Sequence, residues 1–163
     1  MPRVYVGTYK KYNEGNLTGA WIDLDKYSDE DSFYERAREI HSGEKDPEFM
    51  FQDWEGIPEG LISESGIDDR LWEWLGLDED ERDAIGEYWN EVSTDGKISD
   101  IMDNYHGQYN SMEDFATELA YEIYGGAFKE YPQLEYYFDF DSFARDLKTD
   151  YTITKSGYVF SSF

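Results

Sequence analysis

The stretch Leu77–Val92, LDEDERDAIGEYWNEV, limits what the chain can fold into more than any other. Ile85, Tyr88, Trp89 and Val92 fall at i, i+3, i+4 and i+7, which is one face of an α-helix. Asp78 stands at the N-cap position, with Glu81 three residues on, as in a capping box. Burying the four apolar side chains contributes at most about 1.5–3 kcal/mol each, so the stretch is expected to dock that face on a core. The remaining surface is nearly all carboxylate: Glu79, Asp80, Glu81, Asp83, Glu87 and Glu91, opposed only by Arg82. Acids in a first turn gain about 0.3–1 kcal/mol each from the helix dipole, which accounts for Asp78 to Glu81. The dipole does not account for Asp83, Glu87 and Glu91. These form an i, i+4, i+8 row of like charge in which each close pair costs about 0.2–0.5 kcal/mol. Glu91 also sits near the helix C-terminus, where the dipole disfavours an anion.

The same sign runs through the whole chain. Its 163 residues carry 38 acidic and 14 basic side chains, a net charge of −24. The middle segment, 61–103, is the most negative at −11, against −7 before it and −6 after it, so this is not an acidic tail on a neutral domain. High charge with low hydropathy often means disorder. Here 18% of residues are aromatic, and they supply enough buried area per residue for small folded modules. No cysteine is present, which excludes disulfides and thiolate chemistry. The N-terminus lacks the apolar stretch of a signal peptide, and no run reaches membrane-span length, so the expected location is the cytoplasm. A net charge of −24 disfavours direct contact with nucleic acid or an anionic membrane and favours a partner with a basic surface.

The order of elements reads as α+β. Residues 3–9 and 17–24 are expected strands around an Asn13–Asn16 turn. A helix follows, capped by Ser28, with Phe33, Ala37 and Ile40 inward, and then a strand over 48–54. Gly56, Pro58 and Gly60 mark a linker. Helices are expected over 68–75 and 77–92, with helical spacing again at Ile98, Ile101, Met102 and Tyr105. A strand over 105–109 leads to a helix capped by Ser111, with Met112, Phe115, Ala116, Leu119, Ala120 and Ile123 inward and Gly125-Gly126 as its stop. Its outer row, Asp114, Glu118 and Glu122, repeats the spacing of the first acidic row, with Glu122 placed in the last turn. Two short helices, 133–138 and 140–147, precede a hairpin around Ser156-Gly157. The modules so defined are 1–60 (β-β-α-β), 61–103 (acidic and helical) and 104–163 (α+β).

Little in this list supports catalysis. His41 and His106 are expected in a loop or strand, and no paired-histidine metal spacing exists. Asp139-Phe140-Asp141 starts like a calcium loop but has Phe143 and Ala144 where an oxygen donor and a glycine are required. There is no phosphate-cradling glycine loop and no nucleophile elbow. With 38 acids, some carboxylate pair at glycosidase separation is nearly inevitable, so it carries no information. The expectation is a non-enzyme with no cofactor and no metal.

Duplex DNA carries one charge per about 1.7 Å of axis. A row of acids at every fourth helical residue carries one per about 6 Å. One row is too sparse to imitate a duplex, and two or three are required. The whole net charge equals that of about 12 base pairs, and a dimer would match about 24. Mimicry of DNA is one reading of this surface. An acidic module for another basic protein is a second, and a surface that only maintains solubility is a third.

The stretch VYVGTYKKYNEGNLTGAWIDL (Val4–Leu24), with YNEG, a following Gly and then Trp21, resembles the start of ArdA-type antirestriction proteins. The resemblance continues through RLWEWL (Arg70–Leu75) and MEDFATELAYEIYGG (Met112–Gly126), which aligns with the family's antirestriction motif. It ends with YYFDFDSFARDL (Tyr136–Leu147) and the closing hairpin. It implies three small modules in an elongated, curved molecule, a homodimer joined through the C-terminal module, and a protein of mobile genetic elements that mimics bent DNA. The implied partner is a type I restriction-modification enzyme, bound through the DNA groove of its methyltransferase core. On that reading Asp80, Asp83, Glu87, Glu91, Asp114, Glu118 and Glu122 stand in for backbone phosphates.

Overall fold

The computed structural model describes residues 1–163, which form two compact units, Met1–Ile98 and Ser99–Phe163. The mixture of helices with small antiparallel sheets is the α+β class that the sequence implies.

In the first unit, β1 (Arg3–Thr8) lies between β2 (Ala20–Asp23) and β3 (Phe49–Glu55), antiparallel to both. The period-2 alternation of β1 sends Val4 and Val6 to the core, where Ile22 and Phe51 join them. Tyr5 pairs with Trp21 on one side and Asp53 on the other, on the opposite face. A register shift between Tyr5 and Val6 leaves Gln52 as the extra residue of a bulge. Gly19 is required beside this strand, because a Cβ there would overlap the Val6 carbonyl oxygen.

Helix α1 (Tyr9–Asn13) is an element the sequence reading omits. It is a single turn capped by Thr8, whose hydroxyl accepts from the Lys11 N–H. Helix α2 (Glu30–Ile40) is capped by Asp29 rather than by the expected Ser28, the Asp29 carboxylate accepting from the Ser32 N–H at 2.8 Å. A carboxylate at this position also meets the positive end of the helix dipole, which a hydroxyl does not. His41 ends α2 in the core, only 1% exposed. Its Nε2 lies 3.0 Å from the Val6 carbonyl and its Nδ1 2.6 Å from Lys11 Nζ, so both ring nitrogens serve the packing.

Helix α3 (Arg70–Leu75) and helix α4 (Glu79–Glu91) belong to the same unit. Phe33 of α2 meets Phe51 and Trp72, with ring centroids 6.1 and 5.4 Å away. Trp74 Nε1 donates to the Arg82 carbonyl at 2.9 Å and ties α3 to α4. The expected Asp78 cap is present, accepting from the Glu81 N–H. Ile85, Tyr88 and Trp89 are buried as the spacing requires, but Val92 is 38% exposed and lies beyond the helix as its C-cap. The stripe ends one residue early because α4 ends at Glu91, although the Val92 N–H still donates to the Tyr88 carbonyl.

Arg70 fastens the following loop. Its guanidinium donates to Asp68 and to the carbonyls of Thr94 and Gly96, and it lies over the Trp89 ring. The hydrogen bond from Arg70 holds the Asp68 carboxyl below the usual carboxylate range. A depressed carboxylate pKa stabilises the fold above the unfolded value of about 4, and the contribution is lost as pH falls through the folded value. Asp68→Asn is therefore expected to lower the melting midpoint at pH 7 and to lower it less at pH 2, because the contribution shrinks as pH falls below about 4. Thermal melts at the two pH values check this.

Helix α5 (Ile98–Asp103) leads into the second unit, where β4 (Tyr105–Gln108) pairs with β6 (Tyr158–Ser161), and β6 with β5 (Tyr151–Ile153). Helix α6 (Met112–Glu130) packs Met112 and Phe115 on Val159, with Leu119, Leu147 and Tyr151 around them. Ser111 caps α6 as expected, accepting from the Asp114 N–H. Gly157 turns the hairpin at φ +93°, and a Cβ there would overlap the Tyr109 carbonyl oxygen.

Helix α6 does not stop at Gly125-Gly126. It runs on to Glu130, because Phe128 is buried among the rings of Tyr121, Phe138 and Phe140. Two interior glycines cost about 2 kcal/mol together, and burying a phenylalanine offsets most or all of that. Two expectations fall with the longer helix. Ile123 is 56% exposed rather than inward. Glu122 lies in mid-helix, so the dipole does not oppose it. The last helices are α7 (Pro132–Tyr137) and α8 (Phe140–Leu147), the latter capped by Asp139, which accepts from the Ser142 N–H.

Candidate functional site

The predicted site residues lie on two helices, one in each unit. On α4, Asp80, Asp83 and Glu91 are exposed and Glu87 is half-buried. On α6, Asp114, Glu118 and Glu122 are all exposed. Burial of the opposite stripe aims each row outward: Ala84, Ile85, Tyr88 and Trp89 for α4, and Met112, Phe115, Ala116 and Ala120 for α6. Within a row, successive acids rise about 6 Å along the helix axis. Glu91 is the last residue of α4, so there the dipole cost stands as expected.

The basic side chains that form ion pairs are engaged elsewhere. Arg3 pairs with Glu55, Lys11 with Glu44, Lys26 with Asp23, Arg36 with Glu39 and Arg70 with Asp68. Arg82, the one base within α4, turns away from the row. Its Nη1 donates to Asp25 at 2.7 Å, its Nη2 donates to the Leu75 carbonyl, and its guanidinium lies against the Trp74 ring. No lysine or arginine comes within ion-pairing distance of Asp80, Asp83, Asp114, Glu118 or Glu122. Glu118 lies near the Tyr109 hydroxyl. Burial first, then the nearby Glu118 and Glu122, push the Tyr109 phenol above its usual value.

Other candidate chemistry resolves into structure. His106 packs its ring 5.8 Å from Phe115 and 5.2 Å from Tyr151. Asp139 is occupied as a helix cap. No group of three or more histidine or carboxylate side chains converges as a metal site, and no helix is long and apolar enough to cross a membrane.

Two surfaces escaped sequence reasoning. One is a run of exposed apolar side chains on the second half of α6 and on α7: Tyr121, Ile123, Tyr124, Tyr131, Leu134, Tyr136 and Tyr137, the last two 85% and 78% exposed. The density of tyrosine in 121–137 was its only signal. The other is an aromatic cleft on the first sheet, whose residues come from separate strands and loops.

The sequence model of the antirestriction protein (ArdA) family matches residues 4–160. The chain belongs to the ArdA antirestriction family. Membership spans both units and implies an interaction with restriction-modification enzymes. Within this ArdA chain, the segment that resembles the antirestriction motif, Met112–Gly126, forms the first fifteen residues of α6 and carries the second acidic row. No curated protein matches the chain.

Proposed function

We propose that this antirestriction protein is a DNA mimic that occupies the DNA-binding groove of type I restriction-modification enzymes, at their methyltransferase core. The observation that carries the reading is that Asp80 and Asp83 on α4 and Asp114, Glu118 and Glu122 on α6 are exposed with no lysine or arginine within ion-pairing distance, although like charges at this spacing cost stability. Carboxylates in such rows meet lysines and arginines placed to neutralise phosphates, and they need no base-specific contact. Asp80, Asp83, Glu87 and Glu91 supply one set of contacts, and Asp114, Glu118 and Glu122 a second. The division into modules at residues 60 and 103 belongs to this reading, each module adding its own share of negative charge. The exposed apolar run on α6 and α7 supports a homodimer through the C-terminal module, which would double the charge presented. The inhibitor works by binding alone, in the cytoplasm, without cofactor or catalysis.

Competition tests this reading. Labelled duplex bound to a type I methyltransferase is titrated with the purified protein at 50 and 200 mM salt. Displacement is expected at both concentrations. Duplex binding draws on release of condensed counterions, with a slope near −0.9 per neutralised phosphate. The protein's charges are sparser, so it releases fewer ions, and its affinity is expected to fall less steeply. The protein should therefore compete better, relative to duplex, at 200 mM than at 50 mM. Failure to displace duplex at either concentration refutes the proposal.

A further inference from the structure

We propose that the aromatic cleft on the open face of the first sheet is a guanidinium site, which takes one arginine side chain of the basic protein that this chain binds. The inference rests on the reading of the partner given above and adds a specific contact to it. The cleft has a volume of about 650 Å³ and is walled by Tyr5, Tyr12 and Trp21, with Asp53 and Glu64 beside them. Strand pairing builds its floor, because Tyr5 stands opposite both Trp21 and Asp53 in the register. The Tyr5 and Trp21 rings meet edge to face at 5.6 Å, and the Tyr5 hydroxyl donates to the Leu17 carbonyl, which fixes one wall. Tyr12 and Trp21 stay 49% and 37% exposed, large apolar surface left open on so acidic a protein.

The chemistry of the walls selects the occupant. Aromatic faces attract cations, and a planar guanidinium stacks on them better than a compact, strongly hydrated ammonium. The protein already uses this pairing beside the cleft, where the Arg3 guanidinium lies 4.5 Å from the Trp21 ring centroid and is balanced by Glu55 at 2.8 Å. A purely apolar peptide would desolvate Asp53 and Glu64 without return. Nucleobases also stack on aromatic rings, but their phosphates meet a net charge of −24. A basic DNA-binding groove is rich in arginine, so the partner's surface offers the matching group.

The probe is N-acetyl-L-arginine amide, titrated into the full chain while the indole N–H resonances are followed by NMR. N-acetyl-L-citrulline amide serves as the uncharged isostere. A saturable shift confined to Trp21 is expected with arginine, and at least threefold weaker binding with citrulline. Asp53→Asn is expected to weaken arginine binding about twofold, and Tyr12→Ala at least threefold. Unchanged Trp74 and Trp89 resonances report that each variant is folded, and Asp53→Asn carries the test if Tyr12→Ala does not fold. Equal shifts with both probes, or no saturable shift at Trp21, overturn the inference. No restriction enzyme is present in this assay, so its failure leaves the mimic reading standing. Arginine binding by a protein that cannot displace duplex would sink the mimic reading alone.

Discussion

Replacing Asp114, Glu118 and Glu122 together by lysine is expected to weaken inhibition of a type I enzyme about 100-fold. Exposed opposite charges are worth about 0.2–1 kcal/mol per pair, and reversal turns each attraction into a repulsion of similar size. Three such sites lose about 3 kcal/mol, which is about two decades in affinity. The neutral triple, Asp114→Asn with Glu118→Gln and Glu122→Gln, is expected to lose about tenfold, and Glu122→Gln alone about twofold. Stability is expected to fall only slightly, because Asp114→Lys gives up a first-turn dipole contribution of about 0.3–1 kcal/mol while the like-charge row is relieved. Each reversal adds two positive charges, so the net charge moves from −24 to −18 and self-repulsion falls. Inhibition constants and melting curves, measured on the same preparations, separate binding from folding. Abolition of inhibition by one Glu→Gln change would mean a specific site in place of a distributed charged face.

Phe33→Ala is expected to have the largest effect on stability, about 3–5 kcal/mol. Phe33 is fully buried, and its ring touches those of Tyr34, Phe51 and Trp72, which lie on α2, β3 and α3. It joins the first sheet to the helices that follow the Gly56–Gly60 linker. In a domain of about 100 residues each kcal/mol shifts the midpoint by about 4–8 °C, so a fall of at least 12 °C is expected. Phe33→Leu keeps most of the volume and should cost less than about 1.5 kcal/mol. Scanning calorimetry of the whole chain measures both variants. A change below 1 kcal/mol for Phe33→Ala would show that sheet and helices are not held together through this ring.

Much of this architecture is local, and local features can be read from residues. Alternation in Val4-Tyr5-Val6 gave the first strand, and the 3.6-residue stripe with Asp78 gave α4, because both depend on neighbours within one element. The outward acidic rows followed from the same periodicity, since a buried stripe forces the opposite face into solvent. The failures came where a distant partner decides. Gly125-Gly126 read as a stop, and only the rings packed around Phe128 show why the helix continues. Between Ser28 and Asp29, two competent caps one residue apart, the path of the chain chose Asp29.

The sequence by itself determined the sign and spacing of the charge, the α+β class and the family, because composition and short-range periodicity do not depend on how elements meet. Tertiary structure alone decided which bases stay away from the acidic rows, as Arg82 does by turning to Asp25, 57 residues away in sequence. It alone assembled the aromatic cleft, since strand pairing sets Tyr5 beside Trp21 and Asp53. Such contacts are set by register and packing between remote segments, and neither is written in any one stretch of the chain.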